Sequence, residues 1–323
     1  MNLRIFLQTL MTTATIYKPQ RLTSISEKVT TIGTFDGIHI GHQKILKQVV
    51  QLARDKGYVP AVLTLFPHPR MVLQKDDSIK LLNTIEERVA LLTSLGIEAV
   101  IVKKFTKEFS NLSAKDYVKQ ILVDELNTKH IVIGYDHHFG KNRSANISDL
   151  KAFAKRYDFK VEEISAQDIE DVTVSSTKIR TALNAGEVDL ANAYLGYNFF
   201  ITGHVIKGKG LGRTIGFPTA NIHNTATYKL IPGNGVYVVS SQIGDKTIFG
   251  MMNIGTNPTV NGKIRSIEVH FFNFNENIYN AELKIEFLKR LRSEQKFENL
   301  EGLKIQLKQD MANAHQYIEA LHD

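Results

Sequence analysis

The sequence predicts an α/β domain followed by a β domain: a parallel sheet with covering helices, then a small antiparallel β-barrel with a C-terminal helix. Three observations carry this prediction. Up to about residue 186, apolar runs of strand length alternate with amphipathic helices over short connections, which is typical of βαβ units. Beyond residue 196, glycine becomes frequent and the strands become short, which favours a barrel. From residue 300 onward, one apolar stripe repeats with helical spacing.

The α/β part contains five runs of strand length, at residues 29–32, 60–66, 97–102, 130–134 and 159–164. Helices are predicted to begin near residues 40, 84 and 113, the last two at capping residues. Continuous apolar runs indicate parallel strands that are buried on both faces. Ligands bind such sheets at the carboxyl ends of the strands, so we expect functional residues in the loops that follow the strands.

The β part contains predicted strands at residues 199–205, 235–242, 246–252, 266–274 and 281–291. A short helix at residues 187–195 precedes it, and a final helix carries apolar residues on one stripe from residue 300 to residue 321. The predicted domains are therefore residues 13–186 and 198–323, joined by a linker helix at residues 187–197.

The loop after the first strand combines a glycine-rich turn with two histidines. Residues 33–37 read Gly-Thr-Phe-Asp-Gly, and His39-Ile-Gly-His42 leads into the first helix. Backbone N–H groups and the positive end of the helix dipole converge in such a turn, which makes it a phosphate site. The two imidazoles are able to donate hydrogen bonds to phosphate oxygens. Two other interpretations stay open on this pattern alone: incidental histidines, or a metal pair completed by other histidines or carboxylates.

Two later segments of the α/β part also carry chemistry. Residues 134–143 place aromatic, acidic, imidazole and guanidinium groups directly after a strand, although a histidine-rich loop is often merely solvated. Residues 174–180 read Val-Ser-Ser-Thr-Lys-Ile-Arg and open a helix, so they supply hydroxyls and two cations for a polyphosphate. An ordinary helix cap with surface charges is the alternative interpretation of the second segment.

A cationic glycine-rich loop follows the first strand of the β part. Gly208, Gly210 and Arg213 lie in this loop, whose backbone is open enough for N–H groups to approach a phosphate. Its order of glycine, lysine and hydroxyl residues is not that of a Walker A motif. A flexible hairpin is the alternative interpretation.

Two groups of polar residues further along the β part suit phosphoryl transfer. Thr219 and Asn221 are two apart, so in an extended segment their oxygens point the same way and are able to bind Mg²⁺. Glu268 and His270 share one face of a predicted strand, and a carboxylate there is able to accept a proton from an attacking hydroxyl. Exposed charges on an alternating strand are the more common explanation of such a pair.

The N-terminal motifs together resemble those of bacterial FAD synthetases. Residues 33–42 are similar to their G-x-F-D-G-x-H-x-G-H signature, and residues 174–180 to their second signature, as in nucleotidyltransferases of the HIGH type. The resemblance implies a Rossmann-like domain in which His39, His42 and Arg180 are catalytic. It further implies that the nucleotide is bound by Gly33, Phe35, Asp36, Gly41, Ser176 and Thr177, and the flavin by His68, Asp136, Phe139 and Arg143. Residues 134–143 are similar to the family's G-x-D-x-x-F-G-x-x-R segment, although Ser144 and Ala145 stand where a glycine commonly follows the arginine.

The C-terminal motifs resemble those of riboflavin kinases. The run Gly-Arg-Thr-Ile-Gly-Phe-Pro-Thr-Ala-Asn at residues 212–221 and Glu-Val-His at residues 268–270 are similar to the family's motifs. The resemblance implies that Thr219 and Asn221 hold Mg²⁺ with ATP and that Glu268 is the base. It also implies a nucleotide-binding role for the loop with Gly208, Gly210 and Arg213. Asn273 stands where the family usually has aspartate.

These resemblances predict one enzyme with two activities. The C-terminal domain is expected to phosphorylate riboflavin to FMN with ATP, and the N-terminal domain to adenylylate FMN to FAD with release of pyrophosphate. The cofactor implied is Mg²⁺, and flavin is both substrate and product. Two alternatives are kept: an enzyme with one surviving activity, and a flavin-binding regulator that has lost turnover.

The composition indicates which kinds of partner and which cellular location are expected. The net charge is +7, but no basic run with interleaved aromatic residues is present, so nucleic-acid binding is not predicted. The absence of cysteine excludes disulfides and thiolate metal sites and suits a reducing compartment, so a cytoplasmic location is expected. No apolar run approaches the ~20 residues of a membrane span, and the opening residues do not have the features of a signal peptide.

Overall fold

The computed structural model describes residues 14–17, 26–74, 78–134, 137–164, 174–208, 210–259 and 262–321. The chain divides into two compact units. The first consists of Met1–Ile79 and Ile85–Thr173, and the second of Lys80–Thr84 and Val174–Asp323. The five residues of Lys80–Thr84 thus belong to the second unit, although the chain on both sides of them belongs to the first.

The first unit is built on a six-stranded sheet. Its strands are β1 (Ala14–Tyr17), β2 (Lys28–Ile32), β3 (Val59–Phe66), β4 (Ala99–Lys104), β5 (Thr128–Gly134) and β6 (Lys160–Ile164). The order across the sheet is β1-β4-β3-β2-β5-β6. Strands β2 to β6 are parallel, which confirms the predicted sheet, and β1 pairs antiparallel with β4 at the edge. The prediction missed β1 because a four-residue strand is too short to show a period.

Helical segments cover both faces of this sheet. They are α1 (Ile40–Lys56), α2 (Pro69–Leu73), α3 (Ile85–Ser94), α4 (Lys107–Ser110), α5 (Ala114–Asp116), the π-helical segment Tyr117–Glu125 and α6 (Ile147–Tyr157). Neighbouring residues of β3 point to opposite faces: Val62 packs with the cluster that includes α1 and α3, and Leu63 with the cluster that includes α6. Most residues of the central strands β2 to β5 are buried, as expected for parallel strands covered on both faces, whereas most residues of the edge strand β6 are exposed.

The strand order fixes where a ligand is expected to bind. From β2, the chain adds β3 and β4 on one side and β5 and β6 on the other. The loops after β2 and β5 therefore leave the sheet in opposite directions and open a crevice at the carboxyl ends of these two strands. The turn with the two histidines follows β2, so the topology places it at this crevice.

The second unit contains a closed six-stranded barrel. Its strands are β7 (Phe200–Ile206), β8 (Ala220–His223), β9 (Gly235–Ile243), β10 (Lys246–Thr259), β11 (Gly262–Phe271) and β12 (Glu282–Arg292). The order around the barrel is β10-β11-β8-β7-β12-β9, and all pairs are antiparallel. The predicted antiparallel barrel is thereby confirmed.

Three further helices of the second unit precede or interrupt the barrel strands: α7 (Ser176–Ala185), α8 (Val188–Leu195) and the short α9 (Leu211–Thr214). Ile179 and Leu183 of α7 are fully buried in the same hydrophobic cluster as Phe199 and Ile201 at the start of the barrel. The packing of α7 is therefore part of the second compact unit.

The C-terminal helix α10 (Leu300–Glu319) packs against the barrel. Ala314 is buried in a cluster with Phe217 and Phe272 of the barrel. The Arg292 guanidinium donates to both carboxylate oxygens of Asp310, which is 1% exposed, at 2.8–3.0 Å. No helix in the described part of the chain has both the length and the apolar character needed to cross a membrane.

We expect Asp310→Ala to lower the free energy of unfolding of the second unit by about 1.5–3 kcal/mol, because it removes the buried carboxylate that accepts charge-assisted hydrogen bonds from the partly exposed Arg292. Urea denaturation followed by circular dichroism measures this loss. The matched control is Lys308→Ala on the exposed side of the same helix, which should change the value by less than about 0.5 kcal/mol. Equal stability of the two variants would contradict the expectation.

Candidate active sites

The turn after β2 has an unusual backbone that carries the chain from the sheet into α1. The Gly33 N–H donates to the Leu63 carbonyl at 3.1 Å, which fixes the start of the turn against β3. Gly37 has a φ of 86°, and two non-glycine residues also have positive φ, Phe35 at 46° and Ile38 at 38°. Such conformations persist only where the surrounding structure holds them, and they concentrate at functional sites.

His39 and His42 stack on each other where α1 begins. Their ring centroids are 3.7 Å apart at an interplanar angle of 18°, and the Phe35 ring packs edge-on against His42 at 5.2 Å. His39 is the N-cap of α1, since its Nδ1 accepts a hydrogen bond from the His42 backbone N–H at 3.4 Å. The proton of a neutral His39 ring is therefore on Nε2. A Cβ on Gly41 would lie 3.3 Å from this Nδ1, so glycine suits the close packing.

Both imidazoles are neutral near pH 7. Burial lowers the pKa of His39 to about 4, although the nearby Asp36 carboxylate opposes this shift. Burial also lowers the pKa of His42 well below its ordinary value, and the neighbouring His39 and Arg88 add to the shift. Neutral rings donate hydrogen bonds without a permanent charge, and an arriving polyphosphate would favour their protonated form.

The lowered pKa of His39 predicts that the protein loses stability in acid. Its pKa is about 4 in the folded protein and 6.5 ordinarily, so below pH 6.5 the unfolded chain binds a proton that the folded protein excludes. The contribution of His39 to the free energy of unfolding is therefore fully present above pH 6.5 and is lost as the pH falls towards 4. The loss amounts to about 3 kcal/mol. Urea unfolding between pH 7 and pH 4 should show a shallower pH dependence for His39→Asn, which keeps a capping side chain. Identical pH profiles would contradict the assignment.

The other predicted N-terminal site residues differ in accessibility. His68 is the N-cap of α2 and accepts a hydrogen bond from the Arg70 N–H at 3.2 Å. Phe139 is 6% exposed and packs against Tyr117, with ring centroids 5.7 Å apart. Arg143 is exposed in the loop after β5, and Asp136 lies outside the described residues.

The site residues predicted on α7, Ser176, Thr177 and Arg180, lie in the second compact unit. Ser175 is the N-cap of α7 and accepts a hydrogen bond from the Lys178 N–H at 3.3 Å, so Ser176 and Thr177 form the first turn. Arg180 donates from Nε to the Lys80 carbonyl at 2.8 Å, which ties α7 to the segment Lys80–Thr84 of the same unit.

In the barrel, the predicted metal ligands and base are brought together. The Thr219 hydroxyl donates to Glu268 Oε2 at 3.3 Å, and Asn221 of β8 is the register partner of Glu268 in β11. Gly208 lies directly against Asn221, because a Cβ there would be 2.1 Å from the Asn221 amide nitrogen. The Thr219 hydroxyl and the Asn221 amide oxygen are hard ligands of the kind that fits Mg²⁺. No group of three or more histidine or carboxylate ligands was found among the described residues.

The glycine-rich loop turns tightly before it reaches these residues. Gly210 has a φ of 72° and precedes α9, on which Arg213 is exposed. The Phe217 N–H donates to the Gly212 carbonyl at 2.8 Å, and a Cβ on Gly212 would meet the Phe217 carbonyl at 2.2 Å. Any side chain at Gly212 would therefore displace the segment that leads to Thr219.

A pocket of about 480 Å³ opens beside Thr219 in the second unit. Its wall combines aromatic, aliphatic and polar side chains, including Arg213, Ala220, Val269, Phe271, Phe274 and Tyr279. This volume is within the usual range for small-molecule sites, and the mixed lining suits a flat ring system with a polar chain.

Sequence reasoning missed two contacts that hold these sites. Arg88 is 1% exposed and lies 3.5 Å from the Asp36 carboxylate, although a charged side chain in a helix usually points to solvent. Its spacing from Ile85 and Leu92 puts it on the apolar face of α3, and this was the signal that could have identified it. His270 Nδ1 lies 2.8 Å from the Pro218 carbonyl, one residue before Thr219, and nothing in the sequence pattern indicates that contact.

Comparisons with known proteins match two families, one in the N-terminal part of the chain and one in the C-terminal part. A family model described as FAD synthetase matches residues 22–178, and one described as riboflavin kinase matches residues 195–318. The bifunctional riboflavin kinase/FMN adenylyltransferase of Bacillus subtilis (strain 168) is 39% identical over 305 residues, which cover 92% of this chain and 94% of the relative. The protein of the same name from Escherichia coli (strain K12) is 33% identical and covers 90% of this chain and 92% of its own length.

A solved structure shares the fold. It is titled "Crystal Structure of Macrolide-efflux Protein from Streptococcus pneumoniae" and aligns with a TM-score of 0.83 and 31% sequence identity. The alignment covers 92% of this chain and 96% of that one, so the likeness extends over nearly the whole of both.

Proposed function

Because this chain belongs to the family of bifunctional riboflavin kinase/FMN adenylyltransferases, we propose a role for each residue of its two sites. The chain phosphorylates riboflavin to FMN with ATP and then adenylylates FMN to FAD. The kinase lies in the C-terminal part and the FAD synthetase in the N-terminal part, as the sequence predicted. The functional boundaries that we propose are residues 13–186, 187–197 and 198–323.

In FAD synthesis, an oxygen of the FMN phosphate attacks the α-phosphorus of ATP. A new P–O bond forms, the bond from the α-phosphorus to its bridging oxygen breaks, and pyrophosphate leaves with the electron pair. The nucleophile is already an anion, so the site has to stabilise charge rather than remove a proton. We assign this charge stabilisation to His39, His42 and Arg180. The strongest support is the stacked histidine pair at the positive end of α1.

The remaining N-terminal residues are proposed to bind the two substrates. The nucleotide contacts are assigned to Gly33, Phe35, Asp36, Gly41, Ser176 and Thr177. The flavin contacts are assigned to His68, Asp136, Phe139 and Arg143. Phe139 is 6% exposed and packs against Tyr117, so it also fixes the loop after β5.

In FMN synthesis, the 5′-hydroxyl of riboflavin attacks the γ-phosphorus of ATP. Glu268 accepts the hydroxyl proton, a P–O bond forms, and ADP leaves as the bond to its bridging oxygen breaks. Thr219 and Asn221 are proposed to hold Mg²⁺, which when bound neutralises charge on the ATP phosphates. The support is the contact of Glu268 with Thr219 and its pairing with Asn221.

The loop before these residues is proposed to bind the ATP phosphates in the kinase reaction. Gly208 and Gly210 let backbone N–H groups approach the phosphates, and the exposed Arg213 supplies a cation at the pocket. We further propose a cytoplasmic location, which the cysteine-free composition supports.

Chromatography of the products tests the two-step function directly. The purified protein is incubated with riboflavin, excess ATP and Mg²⁺, and samples are taken over time. We expect FMN to appear first and FAD to accumulate at its expense, with one pyrophosphate released for each FAD. Accumulation of FMN alone would contradict the roles given to the N-terminal residues. Untouched riboflavin, with added FMN still converted to FAD, would contradict the roles given to the barrel residues.

A further inference from the structure

We propose that Arg88 is a positioning residue for FAD synthesis, which holds the turn that carries His39 and His42 through contacts with Asp36 and Thr64. Arg88 lies on α3, outside both of the N-terminal sequence motifs. The inference rests on the proposed function of this turn as the adenylyl-transfer site.

The contacts of Arg88 reach both sides of Phe35. Its Nη2 lies 3.5 Å from Asp36 Oδ1, and its Nη1 donates to the Thr64 hydroxyl at 3.3 Å. The same hydroxyl donates to the Thr34 carbonyl at 3.1 Å. The Arg88 guanidinium therefore holds Thr34 indirectly, through the Thr64 hydroxyl. It contacts Asp36, on the other side of Phe35, directly.

Phe35 connects this network to the histidines. It has a φ of 46°, which costs conformational energy for a residue with a large side chain. Its ring packs edge-on against His42 at a centroid distance of 5.2 Å. A shift of Phe35 would consequently move the surface against which the His42 ring is packed.

Stability alone is a weak explanation for this arrangement. Arg88 and Asp36 are each 1% exposed, and withdrawing two charges from water costs several kcal/mol per ion before their attraction is counted. Apolar residues of similar volume often serve stability as well or better. A role in fixing the turn after β2 explains why Arg88 and Asp36 form a charged pair here. Charge-assisted contacts require a particular geometry, which apolar packing does not.

The Arg88 charge also acts on His42. It is one of the causes that lower the pKa of this histidine, after burial and the neighbouring His39. Arg88 thus affects the histidine pair through its charge as well as through the turn.

The test compares Arg88→Met, Arg88→Lys and Thr64→Val in FAD formation. A misplacement of about 1 Å costs about 100-fold in rate, so we expect Arg88→Met to lower kcat about 100-fold while KM for FMN changes less than about threefold. Arg88→Lys keeps the charge near Asp36 and should recover kcat to within about tenfold of wild type. Thr64→Val keeps the volume and the ion pair but removes the link to Thr34, and should lower kcat about tenfold.

FMN formation by the same chain is the internal control, since Arg88 lies outside the kinase site. Arg54→Met, an exposed arginine of the same compact unit, is the matched control and should leave both activities unchanged. If Arg88→Met fails to fold, Arg88→Lys and Thr64→Val decide the question. Wild-type kcat in Thr64→Val, or a loss in Arg88→Lys as large as in Arg88→Met, would overturn the inference.

The same experiment separates the inference from the function on which it rests. His42→Ala is measured beside the three variants. Loss of FAD formation in His42→Ala, with no change in folded Arg88→Met and Thr64→Val, would overturn the role of Arg88 alone. Unchanged FAD formation in His42→Ala would overturn the assignment of the turn itself, and the role of Arg88 with it.

Discussion

Glu268→Ala is expected to lower the rate of FMN formation by about 10³-fold, a value within the usual range for the loss of a general base. The Glu268 side chain lies 3.3 Å from the Thr219 hydroxyl and is the register partner of Asn221, so alanine removes the carboxylate from beside the two proposed Mg²⁺ ligands. FAD formation from added FMN should continue at the wild-type rate. Chromatography of products from riboflavin and, separately, from FMN measures both rates in one preparation.

Glu268→Gln distinguishes proton transfer from metal binding and packing. Glutamine keeps the shape and one oxygen that is able to accept the Thr219 hydrogen bond, but it cannot take the hydroxyl proton. We expect it to be as inactive in FMN formation as the alanine variant. Glu282→Ala, an exposed glutamate at the start of β12, is the matched control and should retain full activity. Near wild-type turnover by Glu268→Gln would exclude Glu268 as the base.

His42→Ala is expected to lower the rate of FAD formation by about 10²–10³-fold, because it removes a preorganised donor at a site where negative charge develops. It also removes the ring that stacks on His39 at 3.7 Å, so the second histidine loses its packing partner. FMN formation in the same chain should be unchanged. Chromatography of the products formed from riboflavin and, separately, from FMN measures both rates in the His42→Ala variant.

The control for His42→Ala is Lys47→Ala, an exposed residue on the same helix. It tests whether a general disturbance of α1 is enough to slow FAD formation. An equal loss of both activities in His42→Ala would contradict the division of labour between the two parts of the chain. Persistence of FAD formation in this variant would remove the main support for the N-terminal site.

The local segments of both sites could be predicted from the sequence. The turn at residues 33–42 depends on glycine spacing, a capping residue and an amphipathic helix, and all three are visible within a short stretch of chain. The central strands of the parallel sheet could be predicted because burial on both faces favours runs rich in apolar and β-branched residues. The short spacing from Thr219 to Asn221 likewise needs no tertiary contact to be recognised.

Other features of the N-terminal site could not be predicted in this way. The helix expected to begin near Ser113 does begin there, but from Tyr117 to Glu125 it has π-helical hydrogen bonding. The family resemblance implies a flavin-binding role for Phe139, and the burial of its ring against Tyr117 became visible only in the packed structure. Residue type and spacing do not report how deeply a loop residue is covered.

The sequence alone therefore determined the fold class, the order of the two activities along the chain and the segments that carry them. The tertiary structure decided which distant residues meet: Arg88 contacts Asp36 across 52 positions, and Thr219 contacts Glu268 across 49. It also decided the wall of the barrel pocket and the burial that keeps His39 and His42 neutral. The physical reason is that turns and caps depend on neighbours in sequence, whereas burial, ion pairing and strand register depend on how separate elements pack.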